Sequence, residues 1–185
     1  MKKILYINPL LEEIHFILLV GEEIITKTLP KNLETASTFP KMLVDLVDLY
    51  DINDIYCIVG PGPFTLMRVI TLAINAIWYT RSIGVKSCHF FDLICDTSIP
   101  IIRANPKEFL IKTNNTIENI SIELVPNGTY EGIIGSIPST EGIKYIEYTD
   151  NIQHILNVFL PRPYESKIAP LYFKPPHITW QKISI

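Results

Sequence analysis

The chain has 185 residues, 48% of them apolar and 19% charged, and a formal net charge of -3. This composition excludes intrinsic disorder, because it supplies enough apolar surface to offset the entropy of ordering the chain. With 16 basic residues against 19 acidic ones, a protein that binds nucleic acid on its own is not expected, since phosphate neutralisation supplies most of that affinity. The longest apolar run, Ile14 to Val20, is far shorter than a membrane-spanning helix, and Ile4 to Ile7 is too short for a signal peptide. We therefore expect a globular, cytoplasmic protein without a membrane contact.

The first fifty residues predict strands followed by a helix. Three short apolar runs separated by turn residues indicate an antiparallel meander: Lys3–Asn8, Ile14–Val20 and Ile24–Thr28. From Phe39 to Tyr50 the apolar residues recur every three or four positions, which predicts an amphipathic helix. Pro40 either starts this helix or kinks a longer one that begins near Leu33.

A buried strand and a second helix are predicted next. Ile55–Val59 is a continuous apolar run that ends at Gly60-Pro61-Gly62-Pro63, and a helix with Thr65 as its candidate N-cap follows to Thr80. Later strands are predicted at Val85–His89, Pro100–Ala104, Glu108–Thr113 and Ile117–Val125, and later helices at Phe90–Cys95 and Ile152–Phe159. The prolines after residue 160 predict an extended tail that follows the surface. The succession indicates a mixed α/β fold.

The helix predicted at Thr65–Thr80 is apolar on every face, with only Arg68, Thr71 and Asn75 polar inside it. Such a helix has to be covered on all sides. One face can pack on the sheet, and two interpretations of the rest stay open. Either the helix at Phe39–Tyr50 covers it, or it is a surface for a partner protein.

The loop Gly60–Thr65 joins a buried strand to a helix, where glycines can present backbone N–H groups to a phosphate. However, the loop is neither GxGxxG nor GxxxxGK[ST], it has no lysine, and Pro61 and Pro63 lack donors. A rigid turn that directs the helix is therefore favoured over an anion site.

Residue types that carry chemistry are scattered. The four histidines show no metal-binding spacing: His15, His89, His154 and His177. Neither HExxH nor CxxC nor GxSxG is present. Cys88 and His89 are neighbours on a predicted strand, so they point to opposite faces and form no dyad. The cysteines are predicted to be reduced core thiols: Cys57, Cys88 and Cys95. We expect no catalytic residue, no metal and no cofactor.

Residues 60–70 resemble the signature of the TsaB family, also called YeaZ, which reads G-P-G-S-F-T-G-x-R-[IV]-G. The residues that match are Gly60, Pro61, Gly62, Phe64, Thr65, Arg68 and Val69. The departures are Pro63 for the serine and Leu66 and Ile70 for glycines, and each replaces a small residue with a larger one.

Three further stretches extend the resemblance over most of the chain. Ile4–Asn8 is similar to the family's first strand, with Asn8-Pro9-Leu10 in place of Asp-Thr-Ser. Residues 102–109 resemble the family's I-D-A-R-R-x-E-V strand pair, with Arg103 in place of the aspartate and Glu108 kept. Residues 170–174 and 180–182 resemble the P-x-Y-L-R tail and the W-K-K that can follow it.

The resemblance implies an actin-like or RNase H-like (ASKHA) α/β fold, with two lobes built on mixed sheets and flanking helices. The first lobe is expected at residues 1–99, and a reduced second lobe with the tail at residues 100–185. Members of the family do not catalyse; they pair with TsaD, which transfers a threonylcarbamoyl group to an adenosine of tRNA, and the ATPase TsaE joins the assembly. An actin-like ATPase needs a carboxylate on its first strand to hold hydrated magnesium, and Asn8 does not supply one.

The resemblance and the apolar helix together predict a partner interface. Its expected residues are Gly60, Pro61, Gly62, Phe64, Thr65, Leu66, Arg68, Val69, Ile70, Ala73 and Ile77. A TsaD-like subunit is the expected partner, with a TsaE-like ATPase in the same assembly and tRNA reached only through it. Two other classes stay open: an actin-fold or glycoprotease-like enzyme with a ligand between its lobes, and a structural homodimer that uses the same helix.

Overall fold

The computed structural model describes residues 2–94, 97–114, 116–133, 135 and 141–172. Cys95, His177 and the tail motifs at residues 173–174 and 180–182 lie outside these residues. Two five-stranded sheets form the frame of the described chain. None of the described helices is both long enough and apolar enough to cross a membrane.

The first sheet combines a meander with parallel strands. Its members are β1 (Ile4–Asn8), β2 (Ile14–Val20), β3 (Glu23–Leu29), β4 (Asp54–Ile58) and β5 (Gly84–Cys88), in the order β3-β2-β1-β4-β5. Strands β1 to β3 are antiparallel, as the sequence predicts, and β4 and β5 continue the sheet parallel to β1. The continuous apolar run in β4 is explained by this central position, because both of its faces are buried.

Two helices cover one face of the first sheet. They are α1 (Thr35–Tyr50) and α2 (Phe64–Arg81), and they also pack against each other. Pro40 lies inside α1, so the longer of the two predicted helices is the one that forms. The prediction of Thr65 as N-cap is wrong: α2 begins at Phe64, and its N-cap is Pro63, whose fixed φ suits a helix start.

The opposite face of the first sheet packs against α3 (Ile152–Phe159) and against the second sheet. Phe159 stacks on Tyr56 of β4 with ring centroids 5.1 Å apart. The buried Lys86 of β5 donates from Nζ to the carbonyl oxygens of Phe159 (3.2 Å) and Leu160 (2.8 Å). A cation at the carbonyl end of a helix complements its dipole, so Lys86 stabilises the end of α3.

The second sheet holds two strands that the sequence patterns do not predict. Its members are β6 (Ile99–Asn105), β7 (Glu108–Thr113), β8 (Thr116–Ser121), β9 (Gly128–Ile133) and β10 (Ile143–Glu147), in the order β10-β9-β6-β7-β8. The strand predicted at Ile117–Val125 ends at Ser121, and a 3₁₀ helix, Ile122–Leu124, follows. The unpredicted β9 contains two glycines and β10 lies at an edge, so both lack a strong strand pattern.

The second lobe consists mainly of its five-stranded sheet. Residues 122–127 cross from β8 at one edge to β9, and Val125 packs with Phe109 and Tyr130 on the outer face. Between residues 99 and 147, the described part of the chain contains no α-helix. The division at residues 99 and 100 stays a prediction; the two sheets are formed by residues 4–88 and 99–147, and α3 returns to the first sheet.

Candidate partner interface and lobe junction

Helix α2 is covered inside this chain on three of its sides. Its inner face lies in the core of the first lobe with Ile70, Ile74 and Ile77. One flank, with Val69 and Ala73, packs towards α1, which is one of the two interpretations left open above. The other flank carries Asn75 and is covered by residues 161–172, which we call the C-terminal strap.

The strap is fixed to α2 by an amide and two apolar contacts. Asn75 Oδ1 accepts from the backbone N–H of Ile168, and Asn75 Nδ2 donates to the carbonyl of Ile168, both at 2.9 Å. The Ile168 side chain is 1% exposed and joins the core of the first lobe. At the start of α2, the rings of Phe64 and Tyr172 are 4.5 Å apart. The predicted surface tail is therefore partly a core element.

The strap also protects the edge of the first sheet. The Glu165 backbone N–H donates to Val85 O of β5 (2.9 Å), and Glu165 Oε1 accepts from Ser87 N (2.8 Å) and Ser87 Oγ (2.7 Å). These bonds occupy backbone groups of an edge strand that would otherwise be open to pairing with another chain.

The loop Gly60–Thr65 packs closely against the strap. Gly60 has φ +123°, and a Cβ there would lie 2.8 Å from Leu171 O. The Leu171 backbone N–H donates to Val59 O at 2.7 Å. A Cβ on Gly62 would lie 2.6 Å from a methyl carbon of Leu10. The glycines are therefore explained by close approach of neighbouring chain segments.

The outer side of α2 remains open. Residues three or four positions apart form what we call the α2 stripe: Thr65, Arg68, Leu72, Ala76 and Tyr79, all exposed. Leu72 is 59% exposed and Tyr79 is 79% exposed. The neighbouring α1 adds the exposed Val44, and Arg81 Nη2 donates to Asp48 Oδ2 (3.0 Å) between the helix ends. Two large apolar side chains therefore lie on one exposed stripe of α2.

The structure divides the predicted interface residues into three groups. Two are exposed, Thr65 and Arg68. Five are half-buried: Gly62, Phe64, Leu66, Val69 and Ala73. The remaining four are buried: Gly60, Pro61, Ile70 and Ile77. Ile70 and Ile77, which the sequence predicts as partner anchors, are buried in this chain's own core.

Sequence reasoning missed Leu72, Ala76 and Tyr79. The signal that could have found them is their position on the helix face opposite Ile70, Ile74 and Ile77.

A buried carboxylate lies where the two lobes meet. Asp150, between β10 and α3, has a side chain 6% exposed. Its Oδ1 accepts from Tyr6 Oη (2.9 Å), Asn8 Nδ2 (2.9 Å) and Tyr148 Oη (3.3 Å). Its Oδ2 faces His15 Nδ1 at 3.4 Å. No sequence pattern points to Asp150, because three of its four partners, Tyr6, Asn8 and His15, lie more than 130 positions away in the sequence.

Both polar atoms of the Asn8 side chain are hydrogen-bonded within this junction. It is buried, its Nδ2 donates to Asp150, and its Oδ1 accepts from the Leu10 backbone N–H at 3.0 Å. The first-strand position at which an actin-like ATPase needs a carboxylate is therefore filled by an amide whose oxygen and nitrogen both have partners.

The predicted thiols are core residues where the structure describes them. Cys57 and Cys88 are free and buried, and burial raises the pKa of each thiol. Cys88 is buried and His89 is exposed, so the two side chains point in opposite directions, as the sequence predicts. Among the described residues, no three His, Cys, Asp or Glu side chains converge as metal ligands.

Two of the surface clefts lie at strand ends of the first sheet. The larger, about 590 Å³, is lined by Lys2, Asp54, Arg81 and Tyr164 at the amino ends of β4 and β5. Ligands of open α/β sheets bind outside the opposite, carboxyl ends of the strands. The smaller, about 350 Å³, lies beside Cys88, where Arg162 Nη2 donates to Asp92 Oδ2 at 2.9 Å.

Similarity to known proteins is found in the fold. No protein-family profile matches the sequence, and no curated protein matches it. The structure of "an uncharacterized protein with similarity to peptidase YEAZ from Pseudomonas aeruginosa" superposes with TM-score 0.67 at 13% identity, over 94% of this chain and 100% of that one. YeaZ from Pseudomonas aeruginosa superposes with TM-score 0.53 at 15% identity, over 71% of this chain and 76% of that one. The predicted two-lobe α/β fold of the YeaZ type is confirmed.

Proposed function

We propose that this protein is a member of the TsaB (YeaZ) family and serves as a non-catalytic scaffold subunit in the threonylcarbamoyl modification of tRNA. In this role it binds and positions a TsaD-like transferase in the cytoplasm. A TsaE-like ATPase joins the assembly, and tRNA is reached only through the complex. The α2 stripe, with α1 beside it, is the surface that we assign to the transferase.

The exposed part of α2 is the observation that carries this proposal. The sheet, α1 and the strap cover the other sides of this helix, so its exposed apolar surface is limited to the α2 stripe. Leu72 and Tyr79 lie one above the other along the stripe with Ala76 between them. A large apolar anchor next to a small residue is suited to receive a helix of a partner. Arg68 adds a positive charge at one end of the stripe.

Two further observations support the family and the non-catalytic role. The fold agrees with YeaZ structures, and the loop that carries the family-like residues Gly60 to Thr65 leads into α2. The end of β1 is filled by Asn8 and Asp150, which use each other as hydrogen-bond partners. An enzyme of this fold would need that place for its ligand.

Co-purification with a tagged TsaD-like subunit tests the proposal. Leu72→Asp and Tyr79→Asp place a charge on the stripe, and we expect each variant to fold normally and to lose the complex on size-exclusion chromatography. Leu124→Asp is the matched control, because Leu124 is 72% exposed on the second lobe. It should keep the complex.

Three results would contradict the proposal. Retention of the complex by both stripe variants would place the interface elsewhere. A homodimer by light scattering that ignores the transferase would favour the structural alternative. An increase of the melting temperature of the isolated chain with ATP would favour an enzyme with its own ligand, through binding linkage.

A further inference from the structure

The contacts around Asp150 have the composition of a carboxylate-binding site. Tyr6 and Asn8 come from β1 and His15 comes from β2, so three of the four groups around the carboxylate belong to the first lobe. Asp150 itself follows the last strand of the second lobe and precedes α3. The first lobe therefore supplies three of these groups, and the returning chain supplies Tyr148 and the anion itself.

Each of the two tyrosines keeps its proton in this environment. Burial, together with the negative charge of Asp150, raises the pKa of Tyr6 and that of Tyr148. A hydroxyl that stays protonated is a permanent donor. Asn8 is fixed in the same sense, because its oxygen already accepts from Leu10 N and its amide nitrogen must face Asp150.

We propose that the lobe junction is a small-carboxylate binding site that the chain fills with its own Asp150, and that this contact locks the second sheet and α3 onto the first lobe. A buried carboxylate without such donors is strongly unfavourable, so the donors and the carboxylate are expected to act as a unit. The ligand class that fits in place of the side chain is formate or acetate. This inference does not depend on the proposed function.

Chemical rescue of Asp150→Ala is the direct experiment. The substitution removes the carboxylate and leaves the donors of Tyr6, Asn8 and Tyr148, with the His15 ring beside them, facing an empty space. We expect a lower melting temperature than in the wild type, and a partial recovery with sodium formate relative to sodium chloride at equal ionic strength. The wild type, whose site is occupied, should melt at the same temperature in both salts.

A double-mutant cycle gives a second, independent measurement. Tyr6→Phe removes one donor without changing the shape of the side chain. In the wild type it should lower the folding equilibrium constant by about tenfold, and in the Asp150→Ala background by less than about twofold. The matched control is Tyr130→Phe, which removes a buried hydroxyl that donates to Pro126 O in the second lobe at 2.9 Å. Its effect should be the same in both backgrounds.

Either experiment can overturn the proposal. If the melting temperature of Asp150→Ala is the same in formate and in chloride, the donors do not form a carboxylate site. Additive effects of Tyr6→Phe and Asp150→Ala mean that the two groups are not coupled. If Asp150→Ala does not fold in chloride, failure of formate to restore folding counts against the proposal, and the cycle is measured with Asp150→Leu, which removes both acceptor oxygens and leaves a side chain of similar size.

Discussion

Replacement of Ile168 by alanine should destabilise the first lobe, although the residue belongs to a proline-rich strap. Its side chain is 1% exposed and shares an apolar cluster with Ile74 and Ile77 of α2. The substitution removes the carbon atoms beyond Cβ, at about 0.8 kcal/mol for each buried methylene. The cavity left behind adds to this, so we expect a loss of about 3 kcal/mol in the free energy of unfolding.

Urea denaturation followed by circular dichroism measures this loss. Ile24→Ala is the matched control, because Ile24 is 58% exposed on the edge strand β3, and its loss should stay below about 1 kcal/mol. The two variants should differ in transition midpoint and not in slope. If Ile168→Ala costs no more than Ile24→Ala, the strap is not part of the core, and the second flank of α2 is open.

Three more substitutions test the contacts around this core. Gly60→Ala should lower the melting temperature more than Gly21→Ala. Both glycines have positive φ, but only the new Cβ at Gly60 would meet a backbone atom, Leu171 O at 2.8 Å. Equal losses of melting temperature would contradict this close approach. Asn75→Ala leaves the backbone N–H and carbonyl of Ile168 without their partner, and it should lower the free energy of unfolding in urea by about 1–3 kcal/mol. A change near zero would contradict this contact. Asp92→Asn should change the dependence of stability on pH. Burial alone would raise the pKa of Asp92, but the hydrogen bond and charge of Lys112 and the charge of Arg162 outweigh it, so the pKa lies below the ordinary value of 3.8. The wild-type advantage over Asp92→Asn is therefore present above that value and is lost as the pH falls through the lowered pKa, and an advantage that grows on acidification would refute the assignment.

The sequence was sufficient for the first sheet and its helices. The meander, the buried β4 and the amphipathic α1 can be predicted from the spacing of apolar residues within each segment. This signal is local and needs no knowledge of distant contacts. The apolar faces of α2 also predicted that something must cover it. The sequence could not show what, because the strap has no periodicity, and Ile168 is a single apolar residue among polar and proline neighbours.

The missing parts of the prediction depend on contacts between distant residues. The strands β9 and β10 become strands through their neighbours β6 and each other, since neither has strong strand residues throughout. Asp150 is an ordinary polar residue in the sequence, and its burial follows only from the way the second lobe returns to β1. The sequence places Ile70 and Ile77 on a partner surface, because an all-apolar helix does not show which of its faces packs on the sheet.

Calorimetric titration of a TsaD-like subunit into this chain tests the central claim most directly. The wild type and Leu124→Asp should bind with the same dissociation constant. The double variant Leu72→Asp/Tyr79→Asp should keep the wild-type melting temperature and bind at least about a hundredfold more weakly, as expected when buried anchors become charged. Equal affinity of all three proteins, or no binding by the wild type, would contradict the assignment of the α2 stripe as the surface for the transferase.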